Sequence, residues 1–467
     1  MTADRSITTA VRPFSIPHLR SAVKGRVIVS GDPDYDQART MFIGGIDRHP
    51  AAIVKVSDAH DVAQVVNVAR ETGMELAIRS GGHSASGHSV SEGGIVIDLS
   101  AMRGMDIDVE GRTAWIETGL TAGEVTTALG EHGLAVGFGD TGSVGVGGIT
   151  VGGGVGFLVR KFGLTIDDVL GAEVVTADGQ ILQVDGSHHP DLFWAIRGGG
   201  GNFGVVTRVQ FRLHELPRIV GGMLFLPATP DIVRRFVELA EVAPEELSTI
   251  ANVLAAAPPM PFIPPEAQGK PILMAILVYA GDAEAGEAVI APFRALAAPL
   301  ADMVRPITYP EMYMPDPEDY HPVGATRTLF IASFGPREAD VIFEHFARSS
   351  AQMTVAQIRV LGGAMARVPM DATAFAHRNR RILVNLAGLY GTPADKAKHE
   401  AWVTAFMEAL RQDSTGAYVN FVGDEGGGRI RESYPGTTWD RLRAVKSRYD
   451  PDNLFRLNQN IPPVVPA

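Results

Sequence analysis

Two glycine-rich stretches in the first half of the chain carry the residues best suited to chemistry. The first, RSGGHSASGHSV (79–90), places His83 directly after two glycines, and the second is GDTGSVGVGGITVGGGVG (139–156). Glycines leave successive backbone N–H groups bare, and such groups form anion-binding concavities. A neutral histidine is a nucleophile, so His83 could bond to a ligand held there. The two stretches therefore predict a site for a flat, anionic ligand with a histidine at its edge.

Flexible surface loops are the ordinary explanation of such glycines, and they predict polar residues between them. The residues between the glycines of the second stretch are instead aliphatic: Val144, Val146, Ile149, Val151 and Val155. Because aliphatic side chains favour burial, the pattern favours a cofactor site over a solvated loop. A hydrogen-bonded loop histidine without a ligand stays open as the alternative for His83.

Other motifs point away from common nucleotide and metal sites. GxGxxG occurs at 137–142 and 199–204, but the second runs directly into a strand pattern at 205–207. That order is the reverse of the strand-loop-helix order of a Rossmann site. No GxxxxGK[ST] is present, and His188 and His189 lie in a polar turn that a solvated loop explains better than a metal site. The sequence predicts no metal.

Composition narrows the class of partner. The 467 residues carry a net charge of −12, which argues against a nucleic acid or an anionic membrane as partner. The chain has no cysteine, which excludes disulfides, thiolate metal sites and any cysteinyl link to a cofactor. Together with the lack of a secretory signal and of a long apolar run, this predicts a cytoplasmic protein. The oligomeric state is left open.

The elements that must hold the two stretches change in type near residue 216. Before it, short strands alternate with helices, of which one is predicted at 58–72 with Ser57 as its cap. Another opens at Thr121 with a capping-box pattern. The first glycine stretch lies between predicted strands at 75–78 and 94–99, as a tight inter-strand loop.

After residue 216 the pattern predicts an α+β unit in which amphipathic helices cover a sheet. Strand-like runs lie at 328–334 and 355–361. The predicted helices are 231–241, 282–298, 337–348 and 394–412.

The chain resembles the FAD-linked oxidases of the vanillyl-alcohol oxidase superfamily, and within it the berberine-bridge-enzyme-like group. The resemblance rests on RSGGHS, on 143–170, on PDLFWAIRGGGGNFGVVT (190–207) and on YDPDNLFRLNQNIPP (449–463). It implies an α+β fold with a two-part FAD-binding domain of the PCMH type, from 1–215 and 416–467. A substrate domain, 216–415, is then inserted between them and built on an antiparallel sheet covered by helices.

The resemblance also implies which residues bind FAD. His83 would carry a covalent bond to the 8α-methyl carbon of the flavin. Thr141 stands where many group members have a second, cysteinyl attachment, so a single attachment is expected. Val144 stands where a small residue is thought to leave room for oxygen. The further cofactor-binding residues implied are Arg79, Ser80, Gly81, Gly82, Ser84, Gly87, His88, Gly142, Gly145, Gly148, Gly152, Gly153, Gly156, Val206, Asn458 and Asn460.

The resemblance gives several candidates for the catalytic residues. Tyr418-Val419-Asn420-Phe421 resembles a Tyr-x-Asn-Tyr strand whose second tyrosine often serves as the base, and phenylalanine cannot exchange a proton. Strand alternation is expected to put Tyr418 and Phe421 on opposite faces. Tyr418 and Asn420 stay candidates, as do His377 as a general base and Arg378 as a group that holds the substrate. An ordinary strand-edge pair explains His377 and Arg378 equally well.

The function expected from the resemblance is hydride removal from a C–H beside an alcohol or amine of a small molecule, followed by reoxidation with O₂ to H₂O₂. An oxidative cyclase or dehydrogenase of secondary metabolism using another acceptor is the first alternative. A flavin-binding module without turnover is an alternative of another class.

Overall fold

Three sheets precede residue 216 in the computed structural model, which describes residues 12–317, 319–412 and 416–464. In spatial order, the first sheet consists of Arg26–Ile28, Ala52–Lys55, Ile95–Asp98 and Leu76–Arg79. The second consists of Met105–Asp108, Thr113–Glu117, Val205–Arg212, Val169–Val175 and Ile181–Asp185, and the third of His214–Glu215 and Leu134–Ala135.

The strands after residue 216 form one antiparallel sheet. In spatial order it consists of Ala301–Asp302, Ile219–Pro227, Ile272–Tyr279, Leu247–Leu254, Met353–Val360, Ile382–Leu389 and Gly324–Ile331, with Arg305–Ile307 also paired to the second of these. Phe236, Phe293 and Phe406, each from a different helix, are buried in one cluster with residues of this sheet. The helix-covered antiparallel sheet that the sequence predicts is therefore confirmed, and so is the α+β class.

The helices agree with the predicted ones to within a few residues. Thr121 caps its helix through a complete capping box with Glu124, as predicted. Asp58, and not Ser57, caps the helix that follows it, because its carboxylate accepts a hydrogen bond from the Asp61 N–H at 2.9 Å. The α-helices are Ile16–Ala22, Tyr35–Arg39, Ala59–Thr72, Ala122–Gly130, Val146–Gly152, Val159–Phe162, Pro190–Ile196, Pro230–Val242, Ala283–Arg294, Pro336–Arg348, Ala364–Arg367, Lys396–Leu410, Gly427–Ser433 and Thr437–Tyr449.

The first glycine stretch joins two parallel strands. Leu76–Arg79 and Ile95–Asp98 are neighbours that run in the same direction. Parallel neighbours need a long crossover that returns the chain to the other end of the sheet, and a helix usually supplies it. In this sheet, residues 80–94 cross without a regular helix. The prediction of a tight loop is wrong for this reason, and the long crossover leaves His83 beside the end of a strand.

The second glycine stretch is not irregular throughout, because Val146–Gly152 forms a short α-helix that the sequence did not predict. Glycine costs about 1 kcal/mol per helical residue relative to alanine. The buried side chains of Val146 and Thr150 offset part of that cost. The helix stops at Gly153, whose φ of 133° an ordinary residue rarely adopts.

A buried ion pair ties the C-terminal segment to the rest of the molecule. Lys446 Nζ lies 2.6 Å from Asp450 Oδ2, and both side chains are fully buried. The ammonium also donates to the carbonyl oxygens of Asn202 and Phe455. Asp450 accepts the backbone N–H groups of Leu454 and Phe455. The segment after the last helix is thereby fixed against residues 200–202.

Candidate active site

A cavity of about 420 Å³ lies between the glycine-rich stretches and the antiparallel sheet. The stretches 80–89, 139–155 and 200–206, each with several lining residues, form one side, which we call the glycine wall. Thr326, Asn385 and residues 418–422 supply the other, which we call the sheet wall. Residues 455–459 close the gap between them. The predicted site residues that line the cavity are Ser80, Gly81, Gly82, His83, Ser84, His88, Thr141, Val144, Gly145, Gly148, Val206, Tyr418, Asn420 and Asn458.

The glycine wall depends on direct contact between the two stretches. A Cβ added to Gly81 would collide with the backbone nitrogen of Gly145, and a Cβ on Gly145 would collide with that of Gly81. Ser80 Oγ donates to the Thr118 carbonyl and accepts the Gly147 N–H, which fixes the same contact. Glycine is required at both positions for close approach of the two backbones.

His83 is held on two sides. Its ring stacks on Phe42 at a centroid distance of 3.9 Å and an interplanar angle of 18°. Its Nε2 lies 2.9 Å from Ser143 Oγ, and that hydroxyl donates to the carboxylate of Asp316. Burial lowers the pKa of His83 to about 4, although Asp316, Ser143 and Asp140 act in the opposite direction. The imidazole is therefore neutral at pH 7, as a nucleophilic histidine must be.

Several residues predicted to bind the cofactor support the wall from behind and do not line the cavity. The Arg79 guanidinium donates to the carbonyl oxygens of Ala38, Arg39 and Ser89, and so ties the crossover that follows it to the helix Tyr35–Arg39. Glycines at 152, 153 and 156 face other parts of the protein: their added Cβ atoms would meet Asn420, Phe375 and the Phe138 carbonyl. The others that do not line the cavity are Gly87, Gly142 and Asn460.

His377 and Arg378 also lie outside the cavity lining. The Arg378 guanidinium makes two bonds of 2.7 Å to the Asp167 carboxylate and a third to Thr373 Oγ1, and the residue is 1% exposed. Both terminal nitrogens are engaged within the protein, and the buried Nε has no partner among the described residues, so the structure gives Arg378 a structural ion pair in place of a substrate contact. His377 is 2% exposed and packs against Phe330 at 4.7 Å. Burial lowers its pKa to about 4.

Tyr418 and Phe421 were expected on opposite faces of a strand, and the structure corrects this. Residues Val419–Phe421 form a 3₁₀ helix, in which residues three apart share one side. Both rings therefore face the cavity, 5.0 Å apart between centroids and at 74°. Tyr418 Oη accepts hydrogen bonds from the N–H groups of Gly154 and Val155 and from Asn420 Nδ2. Burial raises the Tyr418 pKa, so this phenol keeps its proton at pH 7.

The sheet wall contains polar groups that the sequence did not reveal. Thr326 and Asn385 line it from neighbouring strands. Asn385 lies opposite Gln357, whose side-chain amide is already bonded to Asn252 and Arg359. Asn385 Oδ1 is buried and has no hydrogen-bond partner among the described residues. It is thus a buried acceptor without a donor, on a residue that lines the cavity.

Asp140 is another functional candidate that sequence reasoning missed. It adjoins Thr141 and is the one acidic residue among the described residues of the cavity lining. Its Oδ2 pairs with Arg359, which is 4% exposed and lies over the Phe421 ring at 5.3 Å. The pair joins the glycine wall to the sheet. Its signal in the sequence was only the presence of a single acid within the second glycine stretch.

Comparisons with known proteins agree with this arrangement. The family model described as "FAD binding domain" matches residues 50–185, and the model described as "Berberine and berberine like" matches 417–462. The uncharacterized FAD-linked oxidoreductase YgaK of Bacillus subtilis is 31% identical over 471 residues, covering 95% of this chain and 98% of that protein. The chain belongs to the berberine-bridge-enzyme-like FAD-linked oxidoreductases.

Other members of this family show the same fold. The (R)-6-hydroxynicotine oxidase of Paenarthrobacter nicotinovorans is 29% identical over 457 residues, covering 95% of this chain and 97% of that one. The crystal structure of 6-hydroxy-D-nicotine oxidase from Arthrobacter nicotinovorans superposes with a TM-score of 0.83 at 27% identity, covering 94% and 98% of the two chains. This berberine-bridge-like protein is therefore an FAD-dependent oxidoreductase.

The residues of the cavity fit FAD. Gly148 and Gly201 line the cavity, and a Cβ on either would project into open space, as expected where backbone approaches a cofactor closely. No arginine or lysine is among the described lining residues, so the diphosphate would be held by uncharged donors, among them the backbone N–H groups of the glycine wall. Asn458 holds its amide nitrogen on the carbonyls of Gly201 and Phe455, which leaves its buried Oδ1 without a described partner.

No helix in the described ranges of this berberine-bridge-like protein combines the length and the apolar character that crossing a bilayer requires.

Proposed function

We propose that the protein is an oxidase whose FAD is attached to the imidazole of His83 and to no other side chain. The observation that carries this proposal is His83 itself, which lines the cavity as a neutral ring fixed by Phe42 and Ser143. Thr141 also lines the cavity, but a hydroxyl cannot form a thioether. The chain contains no cysteine that could.

When bound, FAD supplies an acceptor for two electrons and a proton from the substrate, which O₂ then reoxidises. The residues of the sheet wall have the task of binding and orienting that substrate. Asn385 Oδ1 would accept a hydrogen bond from a substrate N–H or O–H. Phe421 and Val422 exclude water from the same side. Tyr418 fixes Asn420 through its hydroxyl and so keeps this wall rigid.

We further propose that the substrate is an amine or alcohol which reacts in its neutral form. The one acidic residue of the described lining, Asp140, is already paired with Arg359, so the cavity offers no free charge to an ionic substrate. Phe421 cannot act as a base, and His377 lies outside the cavity lining. A neutral amine needs no such base to release a hydride. The name of the 6-hydroxynicotine oxidase relative supports an amine of this kind.

Two measurements test the proposal. Acid-precipitated protein should stay yellow, and His83→Ala should release all of its flavin to the supernatant. Thr141→Ala is the matched control and should retain the colour, because no bond to residue 141 is expected. A yellow supernatant from the wild-type protein overturns the covalent attachment.

An oxygen electrode tests the reaction. Amines, secondary alcohols and oligosaccharides should be compared at equal concentration, and we expect oxygen consumption with hydrogen peroxide release from the amines. Flavin bleaching without oxygen consumption would make the protein a dehydrogenase. No bleaching by any member of the panel would favour a flavin-binding module without turnover.

A further inference from the structure

A strap from the substrate side crosses over the edge of the glycine wall. The strap comprises residues 313–317 and 319–323 of the described chain. His321 Nδ1 lies 3.2 Å from the Phe42 carbonyl oxygen, and the Gly44 N–H donates to the Pro322 carbonyl at 3.0 Å. Tyr320 contacts the ring of Phe42, which is the ring that stacks on His83. The strap is thereby fixed beside the histidine.

Two strap residues reach the glycine wall: Tyr313 donates its hydroxyl to the Gly139 carbonyl, and Asp316 contacts Ser143. The Asp316 carboxylate accepts the proton of the Ser143 hydroxyl. A serine hydroxyl has one proton to donate, so with that proton on Asp316 its oxygen must act as acceptor toward His83 Nε2, 2.9 Å away. The chain of contacts therefore places the imidazole proton on Nε2 and leaves the lone pair on Nδ1. A fixed tautomer of this kind is what a nucleophilic histidine requires.

We propose that Ser143 and Asp316 are positioning residues that drive the covalent attachment of FAD to His83. The inference rests on the attachment proposed above. His83 Nδ1 forms the new bond to the 8α-methyl carbon, that carbon loses one proton, and the Nε2 proton leaves through Ser143 toward Asp316. The two electrons enter the flavin ring system, and O₂ takes them up with the two protons as H₂O₂. In the net reaction, one C–H bond of the methyl group and the N–H bond of the imidazole are lost, one C–N bond is formed, and O₂ becomes H₂O₂.

The carboxylate matters because the ring becomes cationic while the C–N bond forms. Asp316 is exposed, but it acts on the ring through Ser143, which couples its charge to Nε2. Asp140 also favours the protonated ring, from the cavity side. Removing the hydroxyl or the charge should slow bond formation without removing the binding site for FAD. A merely structural strap predicts a different result, namely loss of bound flavin as a whole.

The experiment separates bound flavin from bonded flavin. Each purified protein is incubated with excess FAD under air, and samples are taken over time. Gel filtration gives the total bound flavin, and trichloroacetic acid precipitation gives the covalent part. We expect Ser143→Ala and Asp316→Asn to bind flavin as the wild type does but to form the bond about tenfold more slowly, the loss typical of one charge-assisted hydrogen bond. Ser143→Thr keeps the hydroxyl and should restore the rate.

Asp319→Asn is the matched control, because it makes the same chemical change at an exposed position of the same strap. It should attach flavin at the wild-type rate. Equal rates in Asp316→Asn and the wild type overturn the inference, and so does a parallel loss of total and covalent flavin in that variant. If the wild type itself releases its flavin in acid, the attachment to His83 fails, and that outcome is distinct because no variant is needed to see it.

Discussion

The glycine wall presents mainly backbone to the cavity, whereas the sheet wall presents side chains. On the glycine wall, Gly81 and Gly145 allow two loops to touch, and Gly148 and Gly201 leave open space. On the sheet wall, Asn385 offers an unpartnered oxygen from a strand that is paired on both sides. The first wall suits a large ligand that is the same in every turnover. The second suits a small ligand that a few polar atoms recognise. Substitutions in the glycine wall should therefore reduce stability and flavin binding, whereas substitutions of polar side chains in the sheet wall should reduce substrate binding.

The largest effect is expected where the two loops touch. Gly145→Val would place a branched side chain against the backbone of Gly81 and cost about 4 kcal/mol of unfolding free energy or more. Thermal melting and total bound flavin measure this. Gly148→Ala is the control on the same wall: its methyl meets open space, so stability should change by no more than about 0.5 kcal/mol while FAD binds more weakly. Wild-type melting of Gly145→Val would contradict the close contact.

The next largest effect is a loss of folding stability at acid pH, and it comes from His377, which lies outside both walls. Burial lowers the pKa of His377 from 6.5 to about 4, so between these values the unfolded chain binds a proton that the folded chain does not. Its contribution to stability is complete above pH 6.5 and is lost as the pH falls toward 4, by about 3 kcal/mol. His83 and His88 titrate in the same direction.

His377→Phe measures how much of the acid-dependent loss of stability comes from His377 alone. Denaturant unfolding at pH 7 and pH 5 should show a smaller acid loss in the variant than in the wild type. Turnover per bound flavin should stay within about twofold, because His377 is not part of the described lining. A large fall in turnover at unchanged flavin content would restore His377 as a catalytic residue.

A smaller loss is expected at the junction of the walls. Tyr418→Phe removes an oxygen that accepts from Gly154, Val155 and Asn420. Leaving buried donors without a partner costs about 2 kcal/mol. Thermal or denaturant unfolding checks this value. Phe421→Leu is a suitable control because it removes no hydrogen bond, and equal losses in the two variants would show that ring packing alone matters.

The smallest effect should appear in substrate binding. Asn385→Leu removes the unpartnered acceptor, and KM for the best substrate of the oxygen-electrode panel should rise about tenfold while bound flavin is unchanged. Thr328→Val alters a buried neighbour on the adjoining strand and should leave KM near the wild-type value. An unchanged KM in Asn385→Leu would move substrate recognition away from this strand.

The same contrast explains how much could be predicted from the sequence. The motif around His83 and the capping box at Thr121 are local patterns, and both occur where the sequence placed them. The helix Val146–Gly152 escaped prediction because its stability comes from burial and not from the propensity of its glycines.

Contacts between residues far apart in sequence could not be foreseen for another reason. Asn385 and Asp140 are distant in sequence and acquire meaning only from the strands and loops that bring them to one cavity. The shared side of Tyr418 and Phe421 depends on a single 3₁₀ turn, which the likeness to a strand motif concealed. The sequence made Arg378 a candidate for holding the substrate, but in the fold its guanidinium is paired with Asp167. Spacing along the chain carries no information on such pairings.

The buried pair of Lys446 and Asp450 has a consequence for the order of events in the cell. Residues 455–459 complete the cavity and are fixed by this pair, although His83 precedes them by most of the chain. A ribosome that has released only the first glycine stretch has made the anchoring histidine but no enclosed site. The complete cavity can therefore form only after residue 459 has been synthesised, and a chain truncated before Lys446 should not enclose the cofactor.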